Sequence, residues 1–131
     1  MTAFIDTNVL IRHLTADPSE MARRATAFLS SRRELLLADL IVAETIYVLE
    51  SVYGVSRERI ADIIRSLLVL HGVVVVDRDV LLRSIEVYAS ERLDYAEAYL
   101  VACAESTGVT TIASFDRSLD RVSTVTRIEP A

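Results

Sequence analysis

Five short apolar runs alternate along the chain with longer stretches of helical periodicity, and this alternation constrains the fold more than any other feature. The runs are Ala3 to Ile5, Glu34 to Ala38, Val73 to Val76, Thr111 to Ser114 and Thr124 to Ile128. Strands separated by helices read as a parallel sheet wrapped by helices, an α/β fold. Asp17, Pro18 and Glu20 form a capping box with proline at the first helical position, ahead of a buried stripe of Met21, Ala25, Phe28 and Leu29. Ser56 caps a further helix in which Ile60, Ile63, Ile64, Leu67 and Leu68 keep helical spacing, with Val55 and Ile60 as its staple and Gly72 as its stop. At 131 residues and 52% hydrophobic content, with no repeat or long linker, the chain is expected to form a single domain over residues 1–131.

Absent residue types exclude much chemistry. All 14 basic residues are arginine, so no P-loop lysine or Schiff-base lysine can exist. The three glycines, Gly54, Gly72 and Gly108, stand alone and cannot build a phosphate-cradling loop. One cysteine and two distant histidines, His13 and His71, do not make a zinc site; Cys103 reads as a core thiol. No apolar run reaches the roughly 18 residues of a membrane helix, and no secretory signal is visible. The expectation is a cytoplasmic protein without membrane association, whose metal chemistry, if any, uses carboxylates.

An open parallel sheet gathers active groups beyond the carboxyl ends of its strands. Asp6 ends the first run and Asp116 the fourth. Glu44 falls in the opening turns of the helix after the second run, and Asp94 and Glu97 open the helix that returns to the fourth. On this placement five carboxylates gather at one edge. Each also has a plainer reading: Asp6 and Asp116 as N-caps, and Asp94 to Glu97 as a capping box. Glu44 resists it, because its neighbours at three and four residues, Leu40, Ile41, Tyr47 and Val48, are all apolar, so its carboxylate is expected in apolar surroundings and in need of a cation. Asp39 and Asp79 read as N-caps, and Asp77 as the end of the valine run.

The stretches "FIDTNVLIRHL", "LIVAETIYVLE", "LDYAEAYLVACAE" and "TIASFDRSL" resemble, in order and spacing, the four acidic motifs of the PIN-domain nucleases, and the short chain around them is similar to a VapC-type toxin of a toxin–antitoxin pair. The resemblance covers nearly the whole chain. It implies a three-layer domain with a five-stranded parallel sheet in the order 3-2-1-4-5. It also implies one or two Mg²⁺ or Mn²⁺ ions, with Asp6 and Asp94 as principal ligands and Glu44 and Asp116 ligating or orienting water. Ser114 matches the small hydroxyl before the last acid and, with Asn8, would support the ligands from behind. Glu97 departs from the family's usual aspartate, keeping the charge with one more methylene of reach. The implied reaction is hydrolysis of RNA phosphodiesters by a metal-activated water, leaving 5′ phosphates.

The implied partners are an RNA substrate, a small VapB-like antitoxin and a second copy of the chain in a homodimer; DNA binding is expected of the antitoxin and not of this chain alone. The apolar helix after the second run and the Ile60 to Leu68 stripe are the expected antitoxin groove, with core or a homodimer interface as the alternative. The net charge of −5 is accounted for by the five acids, so the remainder is neutral and RNA affinity should be weak and salt-sensitive, with Arg12, Arg117 and Arg121 as candidate phosphate contacts. Other readings stay open: an RNA-processing PIN nuclease that is not a toxin, or a non-catalytic acidic pocket for a basic peptide. A dehalogenase-like phosphatase is disfavoured, because position 8 is Asn8 where it needs an aspartate.

Overall fold

The computed structural model describes residues 2–31 and 33–131. The chain divides into two compact units, Met1–Val76 and Asp77–Ala131. All five apolar runs contribute a strand; the first is shifted by one residue toward the N-terminus, the other four are shorter than their runs, and every strand pair is parallel.

In the first unit, strands β1 (Thr2–Phe4), β2 (Glu34–Leu36) and β3 (Val73–Val74) form a sheet in the order β1-β2-β3, with Ala3 opposite Leu35 and Leu35 opposite Val73. Helices α1 (Thr7–Thr15), α2 (Ser19–Leu29), α3 (Asp39–Ser51) and α4 (Arg57–Leu68) complete it. Leu10, Leu35, Val42, Ile46, Ile60 and Ile64 are fully buried and form its core. Gly72 allows the close pass before β3: its φ is 91°, and a Cβ there would stand 2.7 Å from the Arg33 carbonyl oxygen. From that position its own carbonyl accepts the Leu35 N–H at 2.8 Å.

Helix entries in this unit differ from the expected ones at α2 and α3. Helix α2 has Pro18 as its N-cap, with no side-chain cap, so the Asp17 capping box is not formed; Ala22, Ala25 and Leu29 are its buried residues, while Met21 is exposed. The cap of α3 is Ala38, with Asp39 inside the first turn. Ser56 caps α4 as expected, accepting the Arg59 N–H at 3.2 Å. Most of the α4 stripe takes the core alternative: Ile60, Ile64, Leu67 and Leu68 are buried, while Ile63 is half-buried. Surplus apolar residues in a helix had two outlets, a partner or the unit's own core, and here the second is taken.

The second unit holds helices α5 (Arg78–Glu91) and α6 (Tyr95–Thr107), strands β4 (Thr111–Ala113) and β5 (Thr126–Ile128), and a short 3₁₀ helix at Arg117–Arg121. Asp77 is the N-cap of α5, accepting the Val80 N–H at 3.1 Å, and Asp79 lies within the first turn. Helices α5 and α6 pack through buried Ile85, Tyr88, Tyr95 and Val101; the Tyr88 and Tyr95 rings meet edge to face at 6.1 Å. The Tyr95 hydroxyl is satisfied by Ser84 Oγ at 2.8 Å. Strand β4 pairs with β5, Ile112 opposite Arg127.

The expected single five-stranded sheet is therefore corrected. The strands form a three-stranded and a two-stranded sheet, and within each the neighbours are those of the 3-2-1 and 4-5 halves of the expected order. Pairing between the first and fourth strands had no signal in the apolar runs themselves; it came from the family resemblance alone.

Candidate active site

Asp6 stands where β1 gives way to α1. It is the N-cap of α1, and its Oδ1 accepts the Thr7 N–H at 2.7 Å. A cap occupies one carboxylate oxygen and leaves the other available. Asp6 and Asn8 are both exposed and line one cavity with Arg12, whose Nη1 donates to the Asp17 carbonyl at 3.2 Å. The Thr7 hydroxyl beside them is buried without a hydrogen-bond partner.

Glu44 is not where its neighbours suggested. It is exposed on α3, and Leu40 and Tyr47, one turn to either side, are 75% and 67% exposed. Leu40 and Tyr47 share an open face with the acid, while Ile41 and Val48 are half-buried, so the Glu44 carboxylate is not desolvated.

The desolvated acid is Glu97. It lies in the first turn of α6, half-buried, with Oε2 buried and lacking any hydrogen-bond partner. Burial pushes its carboxyl above the usual glutamate range, and the Asp94 and Asp116 carboxylates push it further in the same direction. Asp94 is the N-cap of α6 and is exposed, with no side-chain cap bond, so the plain capping-box reading of this pair is not realised. The sequence did place these two acids at one helix start, and Glu97 is the member that takes on the electrostatic strain.

Asp116 follows β4 and heads the 3₁₀ helix, its Oδ1 accepting the Ser118 N–H at 2.9 Å. Hydrogen bonding to Ser118 holds its carboxyl below the usual aspartate range, helped by the Arg121 and Arg127 charges. Ser114 Oγ accepts the Asp116 N–H at 2.9 Å, and Arg127 Nη1 donates to the Ser114 carbonyl at 2.9 Å. Ser114 thus fixes the turn that presents Asp116. Of the three arginines read as phosphate contacts, Arg121 is engaged with the Glu91 and Arg92 carbonyls, both at 3.3 Å, and Arg117 is exposed. His13 bonds Thr26 Oγ1 at 2.7 Å, a packing role, and Cys103 is half-buried and free.

Among the described residues, no group of three or more His, Cys, Asp or Glu side chains is arranged to hold a metal ion. The fit to a divalent cation rests on chemistry: the acids offer only hard oxygen donors, and the buried, unpartnered Glu97 Oε2 calls for a proton or a cation. Sequence reasoning missed Arg24. It lines the same cavity as Asp6, and its signal was an arginine on the α2 face shared by Met21, Ala25 and Phe28.

Compared with known proteins, the family model described as PIN domain matches residues 3–125. No curated protein matches the chain. Five chains of solved structures do. One belongs to the crystal structure of VapBC2 from Rickettsia felis bound to a DNA fragment from their promoter, 9% identical, with 100% of each chain covered and a TM-score of 0.39. A likeness that small carries nothing from that complex to this chain. Among the described residues, no helix is long and apolar enough to cross a membrane.

Proposed function

The chain belongs to the PIN-domain family, and from that premise we propose that it is a divalent-metal-dependent endoribonuclease of the cytoplasm, the toxin of a VapBC-type toxin–antitoxin pair, held silent by a small VapB-like antitoxin and working as a homodimer. The observation that carries the reading is Glu97: a half-buried acid with an orphaned oxygen, raised by its burial and by Asp94 and Asp116, inside the span of a nuclease-family match.

In this reading Asp6 and Asp94 are the principal ligands of Mg²⁺ or Mn²⁺, Glu44 and Asp116 complete the set, and Glu97 supports them directly or through water. When bound, the metal supplies positive charge to the phosphodiester and lowers the pKa of water. The residues contribute placement. Asp6 is fixed by its cap bond to Thr7, and Asp116 by its bonds to Ser118 and Ser114. Asn8 and Ser114 are polar supports that carry no charge of their own. No histidine pair is needed to activate a ribose hydroxyl, so the products carry 5′ phosphates.

Total cellular RNA incubated with the purified protein tests this. Cleavage is expected with Mn²⁺ and not with chelator, and Asp6→Asn should reduce it by about two orders of magnitude, because an amide does not supply the charge that holds the ion. Most of the activity surviving in Asp6→Asn after chelator treatment would sink the metal-site assignment. The toxin reading is checked separately: expression should arrest growth, and co-expression of an adjacent small open reading frame should relieve it.

A further inference from the structure

Beside Asp6 lies a groove of about 540 Å³ in the first unit, within the roughly 300–1,000 Å³ of small-ligand sites. Its lining includes two arginines, Arg12 and Arg24, against the single acid Asp6, so the groove is cationic in a protein whose net charge is −5. The Nε of Arg12 is buried without a hydrogen-bond partner. Arg24 is exposed on α2, and among the described residues no carboxylate pairs with it. The lining also holds two aromatic rings among aliphatic side chains such as Ile5, Val9 and Met21. Phe4 is 74% exposed, an unusual cost for a phenylalanine, while Phe28 already carries the Arg33 guanidinium 5.0 Å from its ring centroid.

We infer that this groove is a nucleotide subsite for single-stranded RNA, in which Arg12 and Arg24 take a phosphate next to the scissile one and Phe4 stacks a base. Guanidinium groups beside an open aromatic face match a nucleotide, which presents a phosphate and a π-face together. An acidic peptide would use the arginines and leave Phe4 exposed. The inference deepens the nuclease reading and rests on it: Asp6 lines the groove, so a strand held there passes the first acid of the proposed site.

The test measures binding apart from cleavage, by fluorescence anisotropy of a labelled mixed-sequence RNA decamer in chelator. Arg24→Ala should weaken binding about tenfold at low salt and flatten the dependence of log K on log salt by about 0.7, the loss of one phosphate contact on a single strand. Phe4→Ala should weaken binding at least fivefold with the slope unchanged. Arg23→Ala, the adjacent exposed arginine outside the groove lining, should bind as wild type; circular dichroism confirms that all three fold. Wild-type binding by both Arg24→Ala and Phe4→Ala overturns the subsite, as does an equal loss in Arg23→Ala. Retained RNA binding in Arg24→Ala, with loss of binding to a polyglutamate peptide, overturns it in favour of a protein partner. If unchanged binding accompanies Mn²⁺-dependent cleavage by wild type, only the groove assignment falls; if wild type neither binds nor cleaves RNA, the nuclease reading falls with it.

Discussion

Glu97 and Glu105 lie on the same helix, α6, and meet opposite environments. Glu105 accepts two bonds from Arg83, at 2.7 and 3.0 Å, and one from the Thr124 hydroxyl. The hydrogen bond from Arg83 is the main reason its carboxyl is held below the ordinary 4.5, so its ionised form is stabilised by folding. A depressed folded value contributes stability that is present above the unfolded pKa and lost as pH falls through the folded one. Glu105→Gln should therefore lose about 1 kcal/mol at pH 7, discounted for partial exposure, and the gap to wild type should close as pH drops below 4.5 in urea melts followed across pH. A gap that persists at low pH would place the cost in packing. The contrast with Glu44 explains what the sequence could convey at this scale. Apolar neighbours at three and four residues enclose an acid only if that helix face is covered. On α3 two of them, Leu40 and Tyr47, are exposed and the acid with them, whereas on α6 the acid beside exposed Asp94 is the one partly covered. Which of two glutamates becomes desolvated is decided by tertiary contacts that no local window contains.

Elements were more legible than the charges they carry. Each apolar run yields a strand, and the second is trimmed where the chain must turn: Glu34 to Ala38 is a strand only to Leu36, because Ala38 already caps α3. The α4 stripe keeps its helical spacing, yet most of it turns out to be core and not the expected antitoxin groove, since spacing reports a face and not its partner. Gly72 is not the helix stop it was expected to be, since α4 ends at Leu68 with Val69 as its C-cap, and its role is steric. An added methyl there would collide with the Arg33 backbone carbonyl and also sit at positive φ, whereas Gly108, at φ 77°, has nothing within 4 Å of the corresponding position. Gly108→Ala should thus cost about 1 kcal/mol from backbone conformation alone. Gly72→Ala should cost about 2–4 kcal/mol, because the close pass of Arg33 must open as well. Equal urea midpoints for the two variants would show that the Arg33 approach relaxes freely.

At the scale of the whole molecule, charge is the organising quantity. Five acids account for the net −5, and in the second unit Asp94 and Asp116 both act on Glu97 to raise its carboxyl. Like charges near a half-buried carboxylate oppose folding in the absence of a cation, and removing one should relieve the opposition. Asp94→Asn is therefore expected to melt higher than wild type in chelator, by about 2–4 °C. A cation that binds only the folded chain reverses the order. At a hundredfold excess over its Kd, Mn²⁺ adds about 2.7 kcal/mol, which for a chain of this size is on the order of 10 °C. Wild type should show that rise, and Asp94→Asn only a small part of it, because on the proposed assignment the substitution removes a ligand together with the repulsion. The two effects separate the proposals: a higher apo midpoint without a difference in metal response would mean that Asp94 repels Glu97 but does not hold the ion. An unchanged apo midpoint with a lost metal response would mean that it ligates without the crowding.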